Sequence, residues 1–491
     1  MEQTKREGVG QFGLFGAVLA LALVATACGG GGNGSETDGG TEPDAGQTGG
    51  EDAGTDPDAG VNPDGGMSSA EGNQIAVVRL NSDGSLDSNF GEGGIATVEF
   101  GEGAGTVQDT LWDLKLDRTG RIVLFGSGKA QGERADQDRY VARLTAAGAL
   151  DTTFGEGGFT TLDTQGLADN GRGGWLQADG KIVASGYTPV PTGVGTQTAN
   201  AIILQRLNED GSPDTAFGTE GVVQSNPFSL DDMTPWGMAE AYAVARQSNG
   251  SYVTTGYGRV ASSGPVDLVS FRFNDSDGSL DDVWGIGGKL VLDVSAEHDR
   301  GRNLTVLPDD RTVHVGSAAV AANTLDAMIF VTTENGSADD TFSTDGYKLF
   351  DFGSADEAFF GVAASSNGAW IAAAGYSAQT GGIDATLALI PTGSGTEFSG
   401  VVPLSATAMD RFWAVTFGPD DKVYAAGVID EGGDHRMLVA RFNLNGTLDT
   451  EFGTGGTVKL NVREGGNVET ARAIAVQADG KIVIGGAVEA R

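Results

Sequence analysis

The chain has 491 residues, among them 80 Gly, 13 Pro and a single Cys, and its formal net charge is −37. Acidity on this scale excludes a nucleic-acid footprint, which needs clustered Lys and Arg to displace counterions from phosphate. It also excludes adhesion of the folded part to an anionic lipid surface. One Cys leaves no internal disulfide, so stability must come from packing and strand pairing.

The first element is a leader. Lys5 and Arg6 precede an apolar run from Phe12 to Ala25, which has signal-peptide length and is short for a membrane span. It ends in Ala25-Thr26-Ala27-Cys28, which resembles the bacterial lipobox. That resemblance implies a lipoprotein signal peptide at 1–27 and a lipid on Cys28. An ordinary cleaved signal with an incidental Cys is the alternative, but the sole Cys falls where the apolar run stops. The implied location is the bacterial cell envelope, at the outer membrane or cell surface, with the membrane touched through the Cys28 lipid alone. Residues 28–72 are rich in Gly, Asp, Glu, Thr and Pro and hold no Lys or Arg. Such a stretch buries too little surface to offset the entropy of ordering, so it reads as a disordered, extended acidic tether.

From residue 73 onward the chain repeats. One half of the unit, Arg79-Leu80-Asn81-Ser82-Asp83-Gly84-Ser85-Leu86-Asp87-Ser88-Asn89-Phe90-Gly91, returns at Arg143, Arg206, Arg272 and Arg441, and in eroded form from Thr332 and Leu389. Its anchor aromatics are Phe90, Phe154, Phe217, Trp284, Phe342, Phe398 and Phe452, a period of about sixty residues. The other half is exemplified by Ala473 to Gly485, where Ile474 and Val476, then Ile482 and Ile484, alternate with smaller neighbours around Asp479-Gly480. Its relatives centre on Gly120, Gly180, Gly250, Asp310, Gly368 and Asp421. Period-two alternation around an Asp-Gly turn predicts antiparallel hairpins. Each repeat therefore supplies four short strands, the one after Gly-Gly being the weakest.

Four strands per repeat of this period predict an all-β fold, a β-propeller at 73–491. The Arg-Leu half opens the folded region, the Asp-Gly half closes it, and each occurs seven times. A seven-bladed ring of four-stranded antiparallel blades follows, with strands from both chain ends completing the last blade and leaving no open edge. Polar capping repeats, which a linear solenoid needs, are missing. The phrases Asp-Gly-Lys-Ile-Val and Arg-Leu-Asn-x-Asp-Gly-x-Leu-Asp-x-x-Phe-Gly-x-Gly-Gly resemble the delta-60 repeat family of bacterial secreted and surface proteins. The resemblance spans 73–486, departs in the copies from Thr332 and Leu389, and implies a propeller-like array with no established general activity.

Candidate site residues recur with the repeat. Eight positions before each hairpin Gly, or its equivalent, stand Trp112, Arg172, Tyr242, Arg302, Phe360, Trp413 and Arg472. Just before them come Asp109, Asn170, Glu240, Asp299, Glu357, Asp410 and Glu469. In a ring these form two tiers around the central channel, and aromatic faces beside carboxylates suit a sugar or a cationic peptide. The competing reading has the carboxylates bonding nearby backbone N–H groups and the large side chains plugging the channel. The loops after Gly126, Gly186, Gly256, Gly316, Gly375 and Gly427 vary, as Lys129 to Arg134 and Pro189 to Val194 illustrate, so the ligand is expected at their mouth. The Asn-x-Asp-Gly-x-x-Asp turns place Asp83 with Asp87 and Asp210 with Asp214 as oxygen donors for calcium. Against this, no Glu closes the loop, and Asp and Asn favour turns through their own backbone.

Catalysis finds little support. The three His (His298, His314, His435) stand apart from one another and from Cys28, with no zinc-binding spacing. The expectation is therefore a lipid-anchored, non-enzymatic surface module, without an organic cofactor, that binds an extracellular or periplasmic protein or glycan. The alternative is a carbohydrate-active hydrolase or lyase using carboxylates with Arg172, Arg302 or Arg472.

Overall fold

A computed structural model of the chain describes residues 73–489, apart from 101–108, 131–133, 135, 165, 193–197, 229–236, 262–263, 322–323, 355, 380, 406–408 and 464–467. The leader, Cys28 and the tether lie outside the described residues. Regular structure among the described residues is entirely β, in seven sheets. Six blades follow one another from residue 110 to 460, with inner strands Thr110–Leu116, Asn170–Leu176, Ala243–Arg246, Asp299–Val306, Glu357–Ala364 and Asp410–Phe417. The seventh takes Thr470–Val476 and Ile482–Glu489 from the C-terminal end, then Asn73–Leu80 and Ile95–Val98 from the N-terminal end. Its two halves are joined in register from Asn73↔Glu489 to Leu80↔Ile482. The inner strands pack side by side in blade order, and Thr470–Val476 returns against Thr110–Leu116. The ring is closed as the count of half-repeats predicts.

The strand pattern follows from burial. Middle strands such as Ile482–Glu489 are buried on both faces because blades stack on either side, whereas the outer Ile95–Val98 has one exposed position among four and correspondingly weaker patterning. In the third blade the inner edge is broken into Met238–Ala239 and Ala243–Arg246, which pair with the same neighbour. Hairpin turns need a left-handed residue. Gly480 supplies it at φ 83°, and where Gly is missing, Asp310 (φ 66°) and Asp421 (φ 57°) take the role, as short polar side chains can.

The Arg-Leu signature is a lock between blades. Arg79 Nε meets Asp87 at 2.8 Å, its Nη1 donates to Ala146 O of the next blade at 2.6 Å, and its guanidinium lies 4.7 Å from the centre of the fully buried Phe90 ring. The same arrangement joins Arg143 with Asp151, Arg206 with Asp214, and Arg441 with Asp449. Arg441 Nη1 reaches Ser82 O, so the lock also spans the closure. Lys481 Nζ binds Asp87 at 2.8 Å from the other end of the chain. The eroded copies lack this Arg; Asp339 is held instead by Arg311 at 3.0 Å.

This lock occupies the turns offered to calcium. Asp83 Oδ1 accepts from Ser85 N and Oγ, and Asp210 does the same with Ser212. Asp87 is taken by Arg79 and Lys481, and Asp214 by Arg206 and Lys181. The Lys481 bond above all holds the Asp87 carboxyl down at about 2. The chain's own cations therefore engage Asp87 and Asp214, while Asp83 and Asp210 bond the serines of their own turns.

Candidate functional site

The seven channel residues reach the axis through a backbone device. Pairing between inner and second strands skips a residue at Leu111/Asp113, Gly301/Asn303, Phe359/Gly361, Phe412/Ala414 and Ala471/Ala473, and two residues at Gly171/Gly174. The skipped positions include Trp112, Arg172, Arg302, Phe360, Trp413 and Arg472, so each is carried on a bulge, which re-aims a side chain out of the pleat. Tyr242 lies in the break of the third inner edge. Opposite each bulge the second strand carries Gly: a Cβ on Gly316 or Gly375 would sit 1.8 Å from the carbonyl oxygen of Arg300 or Ala358.

Together these side chains form an unbroken girdle. Arg172 lies 4.1 Å from the Trp112 ring centre and 4.7 Å from Tyr242. Arg302 follows at 5.4 Å from Tyr242 and 5.5 Å from Phe360. Phe360 and Trp413 are 4.5 Å apart, and Arg472 bridges Trp413 at 4.4 Å to Trp112 at 4.3 Å. With seven members, alternation of cation and ring must break once, and it does so at Phe360–Trp413. The girdle leaves a cavity of only about 60 Å³, lined also by Asp113 and Asn303. The aromatic faces that the sequence offered to a ligand are thus stacked against the ring's own guanidiniums, and the channel is nearly filled at this level.

The carboxylate tier bonds locally. Asp299 accepts from the backbone N–H groups of Val294, Ser295 and Ala319, Glu357 from Phe352 and Ser354, and Asp410 from Ala385, Leu404 and Ser405. Glu469 accepts from Val462 and Arg463, and Asp109 from Phe100. Each ties the exit of one blade to the inner strand of the next. Glu240 accepts from Asn200 Nδ2. In the second blade the equivalent is Asp169, which binds Thr164 N, and not Asn170, which accepts from Gln137; the spacing to Arg172 carries that correction. Burial pushes Asp299 up to about 6 and Glu469 to about 7.

The open space lies elsewhere. A cavity of about 710 Å³ occupies the mouth that carries the tight hairpins, lined by the last residues of five inner strands and the turns beyond them. Its walls include Leu116, Trp175, Val306 and Pro308, with Arg118, Gln177 and Ser365 among the polar groups. Trp175 is the residue that sequence reasoning missed, and a signal existed: matching positions in the other copies hold Lys115, Ala245, Thr305, Ala363, Thr416 and Ala475. The carboxylates of this funnel have partners. Arg121 bridges Asp117 at 2.5 Å and Glu209 at 2.7 Å, and Asp310 accepts from Ser248. Arg118 donates to Ala178 O. The variable loops at the opposite mouth fall partly outside the described residues.

The histidines do not gather. His314 is fully buried, bonded to Thr255 Oγ1 at 3.1 Å, and burial pushes its pKa down to about 3. His298 Nδ1 accepts from Val266 N, and His435 opens another blade's third strand.

A family profile described as domain of unknown function (DUF5122) beta-propeller matches residues 65–90, 119–154, 177–217 and 418–452, which supports a propeller repeat family. No curated protein matches the sequence. Similar solved structures include virginiamycin B lyase from Staphylococcus aureus, 12% identical over 78% of this chain and 99% of that one, with a TM-score of 0.39. A protein of unknown function from Dyadobacter fermentans is 10% identical over 80% and 98%, with a TM-score of 0.40. Sqt1 from Chaetomium thermophilum is 14% identical over 80% and 99%, with a TM-score of 0.39. At that level the likenesses say nothing about what this chain binds.

Proposed function

We propose that this chain is a bacterial surface lipoprotein, anchored through Cys28 and spaced from the membrane by residues 28–72, whose propeller is a non-enzymatic module that captures a glycan. The observation that carries this reading is the funnel of about 710 Å³ with Trp175 beside amides, hydroxyls and arginines. A volume of that order on a rigid scaffold, lined by apolar and polar side chains in comparable numbers, suits a small or oligomeric ligand. An indole face packs against the C–H face of a sugar, and the flanking polar groups bond its hydroxyls. The girdle from Trp112 to Arg472, with the tier from Asp109 to Glu469, closes the inner end of that site. A hydrolase or lyase would instead need a carboxylate pair free to act as acid and base, and Asp117, Glu209 and Asp310 are each engaged.

The test is a glycan array probed with the full chain, run beside a peptide array. Trp175→Ala should weaken capture of any glycan found by about tenfold, the worth of one aromatic stack. Because Trp175 also packs against two blade cores, binding is read below the melting transition of the variant, and Trp175→Phe, which keeps an aromatic face, should retain most of the capture. Glycan binding that ignores Trp175 would sink the funnel reading. Capture of peptides alone would reassign the same cavity to a protein segment.

A further inference from the structure

Trp175 is not the only break in the repeat at the funnel. The second residue of the hairpin turn is small in six copies: Ala178, Ser248, Pro308, Ser366, Pro419 and Ala478. In the first blade it is Arg118, which lines the same cavity as Trp175. The two departures stand on adjacent blades and are linked: Arg118 Nη1 crosses to Ala178 O at 2.8 Å, three residues beyond Trp175. Neither side chain is needed to make a hairpin, since the other copies turn without them.

The other charged groups of the funnel bond within the chain. Arg121 bridges Asp117 and Glu209, Arg143 pairs with Asp151 at 2.7 Å, Arg246 pairs with Asp275 at 2.9 Å, and Asp310 accepts from Ser248. Arg118 differs. It is exposed, and among the described residues no carboxylate pairs with it. A guanidinium carries five N–H donors in a planar fork; one goes to Ala178 O, and the others meet no acceptor among the described residues. Such a fork matches a carboxylate or sulfate two bonds at a time, and charge-assisted bonds are about twice as strong as neutral ones. We infer that the funnel selects an acidic glycan, with one sugar face on Trp175 and a carboxylate or sulfate of the same chain of sugars on Arg118. This rests on the glycan reading above. The formal net charge of −37 does not oppose it at contact, because salt at 0.1 M screens that field beyond about 10 Å and the donors inside the funnel decide what is held.

The experiment is an array printed with uronate-, sialate- and sulfate-bearing glycans, each beside its neutral counterpart, carboxyl-reduced or desulfated, and probed at 0.1 M salt with the full chain and with Arg118→Gln. Acidic members should be captured about tenfold better than their neutral counterparts, the worth of one charge-assisted contact, and Arg118→Gln should remove most of that ratio. The carboxylate and sulfate spots then say which anion the fork takes. Should the variant fail to fold, the ratio in the wild-type chain is an independent reading. Equal capture of acidic and neutral members, or a preference that survives Arg118→Gln, overturns this inference while leaving Trp175-dependent glycan capture in place. Capture of no glycan at all overturns both readings together.

Discussion

Asp87→Ala removes one carboxylate from the seam where the two chain ends meet. In the intact protein that group is 2% exposed and holds Arg79 Nε and Lys481 Nζ, each at 2.8 Å, together with the backbone N–H of Asn89 at 3.1 Å. Its loss leaves Arg79, itself 8% exposed, as a buried charge without its countercharge. Breaking such a pair typically costs 3–5 kcal/mol. Arg79 keeps its bond to Ala146 O and its stack on Phe90, so the lower end applies, about 3 kcal/mol. The Asp83 carboxylate, four residues earlier and exposed, bonds only within its turn, and Asp83→Ala should cost far less than Asp87→Ala. Urea unfolding followed by tryptophan fluorescence measures both. Equal losses for the two variants, or a loss at Asp87 below about 0.5 kcal/mol, would refute the clasp.

Three further outcomes follow from the same geometry. Burial raises Asp299 to about 6 and Glu469 to about 7; a raised carboxyl favours the folded state while protonated, so stability should fall as pH rises from 5 through 7.5. Asp87, held near 2, acts oppositely, its contribution vanishing only as pH drops from about 4 through 2; a thermal-denaturation series across pH 2–8 should therefore peak near pH 5, and a flat profile from 5 to 8 would contradict the assignment. Gly375→Ala places a Cβ 1.8 Å from Ala358 O, so the bulge under Phe360 must shift at a cost of roughly 1–3 kcal/mol, readable as a lowered melting temperature. Deleting residues 73–100 removes the two outer strands of the seventh blade and should destabilise the whole ring; a small, local loss seen by hydrogen exchange would argue against closure.

The architecture was legible because repetition multiplies weak signals. One Asp-Gly turn is ambiguous, but seven paired with seven Arg-Leu halves fix both blade number and closure. The seven channel positions were legible for the same reason, down to Trp112 and Arg472 meeting across the closure. What they do to one another was not, because stacking distances between blades depend on bulges that no local pattern announces; the Gly at 316 or 375 is their only trace. Asp169 stands three residues before Arg172, as Asp109 does before Trp112, so its place was legible in the spacing, and the neighbouring Asn170 is not its equivalent. The funnel escaped notice because it is assembled from strand ends and turns of five separate blades, a convergence that no local pattern announces. The turn pattern around Asp87 gave no sign of Lys481, which comes from nearly four hundred residues away.

The central claim is that the ligand enters the hairpin mouth and that the girdle stops it there. A crystal structure of the full chain grown with a glycan captured on the array tests this most directly. Density for the sugar against Trp175, with the stacks from Trp112 to Arg472 intact above it, is the predicted result. A sugar seated among the variable loops at the opposite mouth, or threaded through an opened girdle, would contradict the account.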